Sequence, residues 1–161
     1  MSSKDRLQDK DELFMQKAIK EAKKALAIDE VPVGAVVVLE NKIIGRGYNL
    51  KEKGADPTLH AEITALKEAA NYISDWRLSE CQLYVTLEPC SMCAGAMLQA
   101  RIKRLVFGAS DKKAGACGSL YNLVQDERFN HQIEIKQGVL ADRCGQMLKD
   151  FFKKLRTRKH N

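Results

Sequence analysis

Two short segments constrain this chain more than anything else in it. One is His60-Ala61-Glu62, reached through Asp56-Pro57-Thr58-Leu59; the other is Pro89-Cys90-Ser91-Met92-Cys93, reached from Glu88. Each opens a helix, and the run Gln82 to Leu87 between them reads as a strand. Cys90 and Cys93 stand three apart, so on a helix both sulfurs share one face and can reach one ion. A helix N-terminus also lowers thiol pKa and favours the thiolate. Pro89 suits the first turn, where no amide donor is lost. His60 opens the earlier helix, with 29 residues between it and Cys90.

One His and two Cys make a zinc set of three. A structural zinc site uses four protein ligands, whereas a catalytic site uses three and leaves a position for water. Glu62, two residues past His60, can stand over such an ion without ligating it. A carboxylate there takes a proton from the activated water and later gives one to a substrate. The cysteines number five, an odd count that argues against a disulfide framework. Cys81, Cys117 and Cys144 lack ligand-like spacing and read as small packing residues, and His131 and His160 read as surface groups.

The rest of the chain sets bounds. Its 161 residues fit a single domain, 1–161, long enough to bury a core without a staple. Hydrophobic residues make up 45%, which excludes wholesale disorder. No apolar run approaches the roughly 18 residues of a membrane span. The polar stretch Met1 to Asp11 reads as no signal peptide, so a cytoplasmic protein is expected, with residues 1–10 as a flexible tail. The net charge of +6 is concentrated: Lys149 to Asn161 hold six basic side chains against one acidic one. A basic end of this kind attracts a polyanion such as nucleic acid, or simply caps a solvated helix end.

Apolar spacing predicts a helix from about Asp11 to Ile28 and a hairpin of Val33 to Leu39 with Ile43 to Tyr48. Helices follow at about Leu59 to Tyr72 and Ser91 to Ala100, with strands at Gln82 to Leu87, Arg104 to Ala109 and Gln132 to Val139. A last helix, about Ala141 to Arg156, carries Leu148, Phe151, Phe152 and Leu155 at helical spacing, expected as core anchors. Alternating strands and helices imply an α/β domain with helices packed on a sheet.

H-x-E followed by P-C-x-x-C, each half opening a helix, is the signature of zinc-dependent nucleobase deaminases. The likeness extends further. The chain resembles the bacterial TadA-type tRNA adenosine deaminases of the cytidine and deoxycytidylate deaminase superfamily along nearly its whole length. The runs VPVGAVVV, GYN, DPTLHAEI, LYVTLEPCSMCAGAM, RLVFGASDKKAG and GSL carry it. The resemblance implies a three-layer α/β/α fold of the cytidine deaminase type, with a mixed five-stranded central sheet and helices on both faces. It implies His60, Cys90 and Cys93 as ligands of one Zn²⁺ per subunit and Glu62 as the proton shuttle. Asn49 would hydrogen-bond the flipped base, Asp111 would contact the anticodon-loop backbone, and Phe152 with its basic neighbours would help hold the RNA. The implied partners are a tRNA anticodon stem-loop and a second copy in a homodimer, with no membrane and no DNA.

The implied reaction is hydrolytic: zinc-activated water attacks C6 of adenosine at the wobble position, ammonia leaves, and inosine remains. Arginine tRNA is the expected substrate. An anticodon loop already splays its bases, which lowers the cost of unstacking. Two other readings stand beside this one. A deaminase of a free base or nucleotide, of guanine or cytosine type, would keep the zinc chemistry and change the pocket. A zinc-stabilised RNA-binding module without catalysis would need a fourth ligand from Cys81, Cys117, Cys144 or His131.

Overall fold

A computed structural model describes residues 1–159 of the chain. In order it forms α1 (Ser3–Ala27), β1 (Gly34–Leu39), β2 (Lys42–Tyr48), α2 (Ala61–Ile73) and β3 (Gln82–Leu87). Then come α3 (Ser91–Gln99), β4 (Arg104–Ala109), a short 3-10 turn (Leu123–Gln125), β5 (Glu134–Gln137) and α4 (Ala141–Lys159).

The first helix starts well before the expected Asp11. Residues 1–10, expected as a tail, are helical from Ser3 onward, though all of them are exposed. Ser2 accepts a hydrogen bond from the Asp5 amide while the Asp5 carboxylate accepts one from the Ser2 amide. That reciprocal cap starts the helix ahead of its apolar stripe of Phe14, Met15, Ala18 and Ile19.

The strands form one mixed sheet in the order β2-β1-β3-β4-β5. β1 runs antiparallel to both neighbours, whereas β3, β4 and β5 run parallel. The β1–β2 hairpin turns on Glu40 and Asn41, with φ of 48° and 64°, the left-handed pair that a two-residue hairpin needs. The sheet separates two cores, because successive strand residues face opposite sides. Ala35, Val37, Leu83 and Phe107 pack against α2 and α3; Val36, Val38, Tyr84 and Val106 pack against α1 and the start of α4. The result is helix, sheet and helix in three layers.

The sheet is tied to α1 by a buried ion pair. Arg104 on β4 donates to both carboxylate oxygens of Asp11, at 2.8 and 2.7 Å, and the Tyr84 hydroxyl donates to the same carboxylate. On the opposite face, α2 lies so close to β2 that a Cβ on Gly47 would sit 2.2 Å from the Ala61 carbonyl oxygen. Only glycine admits that approach, which fixes the height of the first turn of α2 above the sheet.

β5 is shorter than expected, and α4 runs on to Lys159. Of the stripe expected as core anchors, Phe151 is buried, Leu148 and Leu155 partly so, and Phe152 is 40% exposed. Adjacent helix residues point about 100° apart, so one packed face cannot take both phenylalanines. Cys81, Cys117 and Cys144 are buried free thiols. No helix among the described residues is long and apolar enough to cross a membrane. His160 lies outside the described residues.

Candidate active site

His60 and Cys90 play the same part in two helices. Each is the extended residue just before the first turn, His60 leading into α2 and Cys90 into α3. β3 delivers Cys90 through Glu88 and Pro89, and β4 delivers Asp111 through the adjoining loop. The site therefore sits beyond the carboxyl ends of the parallel strands, where open α/β sheets place their ligands.

His60 Nδ1 stands 3.6 Å from Cys90 Sγ and 3.5 Å from Cys93 Sγ. A tetrahedral zinc ion, with bonds of about 2.3 Å to sulfur and about 2.0 Å to nitrogen, holds such ligands roughly 3.6 Å apart. The donors are spaced for that ion, and all three ligand atoms lie within 4.8 Å of one another. Among the described residues no fourth His, Cys, Asp or Glu completes this cluster. His131 instead uses Nε2 to donate to the Ile102 carbonyl. The donor set stops at three, the number that leaves a position for water.

The two cysteines differ electrostatically. The Cys90 thiol is held down at about 3, by hydrogen bonding with Cys93 and with His60 against the opposing effect of burial. Cys93 is pushed up, first by that same hydrogen bond to Cys90 and then by burial. Glu62 lies in the first turn of α2 and is 4% exposed. Burial pushes its carboxyl up to about 7, with hydrogen bonds and the His60 charge opposing. A carboxyl in that range passes a proton in either direction near neutrality.

These groups face a cavity of about 180 Å³. Asn49, His60, Glu62, Cys90 and Asp111 line it together, and Val31, Val33 and Leu87 supply apolar walls. Asn49 is buried with its amide held in place: Nδ2 donates to the Val31 carbonyl and Oδ1 accepts from the Lys51 amide. Asp111 is half-buried, and its Oδ1 accepts from the amides of Lys113 and Ala114, closing a tight turn. Phe152 is not brought to this cavity. It stands on the exposed side of α4, edge-on to Phe151 at 5.4 Å.

Two buried carboxylates at the site escaped sequence reasoning. Glu30 is fully buried and accepts the amides of Glu52 and Lys53, which pins the loop leading toward His60. Glu88 is 3% exposed and accepts from Asp111, Cys117 and Ser119 on the loop after β4. Burial works against the Glu88 charge, yet these hydrogen bonds outweigh it and hold the carboxyl below its usual range. Neither residue carries a spacing signal; a buried glutamate is written like a surface one.

Comparison with known proteins agrees with this geometry. The sequence matches the family described as MafB19-like deaminases over residues 8–156. It is 52% identical to a tRNA-specific adenosine deaminase of Bacillus subtilis over 149 residues, covering 92% of each chain. It is 53% identical to one of Haemophilus influenzae, covering 92% of this chain and 87% of that one. Among solved structures, one from a study of A-to-I editing by tRNA:A34 deaminases at the wobble position superposes with a TM-score of 0.81. The two share 40% identity over 84% of this chain and 98% of that one. A guanine deaminase from Nitrosomonas europaea shares the fold at a TM-score of 0.72 and 26% identity, over 87% of this chain and 83% of its own.

Proposed function

The chain belongs to the tRNA-specific adenosine deaminases within the MafB19-like deaminase family, and from that membership we propose that it converts adenosine to inosine at the wobble position of a tRNA anticodon. Water is the nucleophile, C6 the carbon attacked and ammonia the leaving group. The observation that carries this reading is the three-donor cluster with a buried carboxylate beside it at the wall of a cavity.

His60 through Nδ1, and Cys90 and Cys93 through Sγ, would hold one zinc ion per subunit, which would supply an acidified water and a positive charge at the reacting centre. Glu62 takes a proton from the attacking water and delivers it to N1 of adenine, which makes C6 more electrophilic. It then takes the proton of the new C6 hydroxyl and moves it to the exocyclic nitrogen, so that as C6=O forms and the C6–N bond breaks the group leaves as ammonia rather than as an amide anion. Asn49 orients the base. Its two backbone hydrogen bonds fix the amide plane and leave one hydrogen and one lone pair for a purine edge. Val31, Val33 and Leu87 exclude water around the base.

Asp111 contacts the backbone of the anticodon loop from the facing wall. Phe152 and the lysines and arginines of α4 hold the RNA outside the cavity, where the charge of the chain is concentrated. The working form is a homodimer in the cytoplasm, with arginine tRNA as the substrate.

The test is to incubate the purified protein with an arginine anticodon stem-loop carrying adenosine at the wobble position, and to read that base by sequencing. Free adenosine, guanine and cytosine run in parallel as ammonia-release assays. Inosine at the wobble position alone is the expected result. Ammonia from a free base without inosine in the RNA would discard the tRNA assignment and retain the hydrolytic chemistry.

A further inference from the structure

The irregular segment 110–119 forms one wall of the cavity through Asp111 and Ala114. No helix or strand lies within it; its middle is held by burial of Ala116 and Cys117 in the core and by the Ala116 amide donating to the Pro89 carbonyl. Among the described residues, the only side chain from outside the segment that hydrogen-bonds to it is that of Glu88. Glu88 Oε1 accepts the Asp111 amide at 3.0 Å and the Ser119 hydroxyl, and Oε2 accepts the amides of Cys117 at 3.1 Å and Ser119 at 3.0 Å. Both ends of the wall are thus tied to one carboxylate. The fit is tight: a Cβ on Gly115 would lie 2.3 Å from Glu88 Cδ and Oε2.

A buried carboxylate ordinarily needs a cation. None of the ion pairs among the described residues includes Glu88. Its charge is met entirely by dipoles of the wall. A carboxylate has about four lone-pair directions, and the wall fills all of them. Glu88 has therefore no acceptor left to offer a substrate, although it borders the cavity.

We propose that Glu88 is the positioning residue for recognition of the anticodon loop: it holds the 110–119 wall, and with it Asp111, in the place where the RNA meets the protein. This rests on the tRNA reading above. Glu88 does not enter the chemistry; Glu62, in the first turn of α2, does.

Glu88→Gln tests it. The amide keeps the shape and turns one acceptor oxygen into a donor. Facing Oε2 it would oppose two backbone amides. It therefore turns toward Asp111 and Ser119, where the hydroxyl can reverse and accept, and only the Asp111 amide loses its partner. The expected result is a KM for the stem-loop raised by about tenfold, with kcat within about twofold of wild type and zinc content unchanged. Hydrogen exchange at the Asp111 amide should quicken, and Cys117 should stay protected. Gly115→Ala presses on the same contact from the loop side and should give the same KM-only signature, which covers the case in which Glu88→Gln does not fold.

A fall in kcat at unchanged KM, or loss of zinc, would overturn the inference and place Glu88 with the metal site. Faster exchange at Asp111 with an unchanged KM would overturn it as well, since the wall would then not govern recognition. A wild-type protein that fails to deaminate the stem-loop would overturn the tRNA reading and this inference together, whereas an active wild type with an unaltered variant overturns this inference alone.

Discussion

His60 Nδ1 and Cys90 Sγ meet at 3.6 Å, although the two residues lie 30 apart in the chain and each begins its own helix. Both helix N-termini therefore aim their free amides and positive dipole ends at one point, which favours thiolate there. The purified chain is expected to carry one zinc per subunit by elemental analysis. Prolonged chelation should abolish deamination, and added zinc should restore it. His60→Ala and Cys90→Ser should each lower zinc content well below one per chain.

Glu62 is not among the three donors, so its loss should leave the metal in place. Glu62→Ala is expected to retain zinc and lose turnover by about 10²- to 10⁴-fold or more, the range for a proton-transfer group. Turnover close to wild type in a zinc-loaded variant would remove the assigned role.

The adjacent phenylalanines of α4 separate packing from recognition. Phe151 is 8% exposed and Phe152 40% exposed. Phe151→Ala should destabilise the fold by about 3 kcal/mol, read by denaturant unfolding. Phe152→Ala should cost less than about 1 kcal/mol and instead raise KM for the stem-loop. Rising salt should raise KM for the RNA steeply and leave any turnover of a free base unaffected.

The Asp11–Arg104 pair gives a stability prediction far from the chemistry. Both side chains are buried, at 2% and 8% exposure, and Asp11→Ala removes the paired carboxylate and leaves the Arg104 guanidinium with Gln82 and the more distant, exposed Glu134. The expected loss is about 3 kcal/mol. Arg104→Met in the Asp11→Ala background should recover much of it, because the cost lies in the unpaired charge rather than in the missing attraction.

Gly47→Ala should push the first turn of α2 off β2, since the new methyl would meet the Ala61 carbonyl oxygen. Glu62 follows Ala61 directly, so kcat should fall even if the protein folds. Gly95 offers the control: nothing lies within 4 Å of a Cβ there, and Gly95→Ala should leave kcat unchanged.

Much of this was legible in the residues. Gln82–Leu87 and Arg104–Ala109 are apolar runs bounded by polar residues, and both strands fall where the pattern puts them. The H-x-E and P-C-x-x-C halves were visible because metal donors need fixed residue types at fixed spacing. The first turns of α1 were missed because Ser3 to Lys10 bury nothing, and only the small cap of Ser2 and Asp5 marks the start. Phe152 looked like its neighbour because a spacing rule does not resolve which edge of a stripe turns to solvent. Glu30 and Glu88 were invisible for a different reason. Their partners are backbone amides of distant loops, and a backbone amide leaves no letter in the sequence.

The seam between β1 and β3 divides the donors: His60 belongs to the hairpin-and-α2 half of the chain, and both cysteines belong to the half that follows. Cleavage of the backbone between Ile73 and Gln82 would put the imidazole on one fragment and the thiolates on the other. Neither fragment carries the full set. Metal uptake by a mixture of the two would then report their reunion across that seam, and a zinc-sensitive dye would become a gauge of fragment complementation.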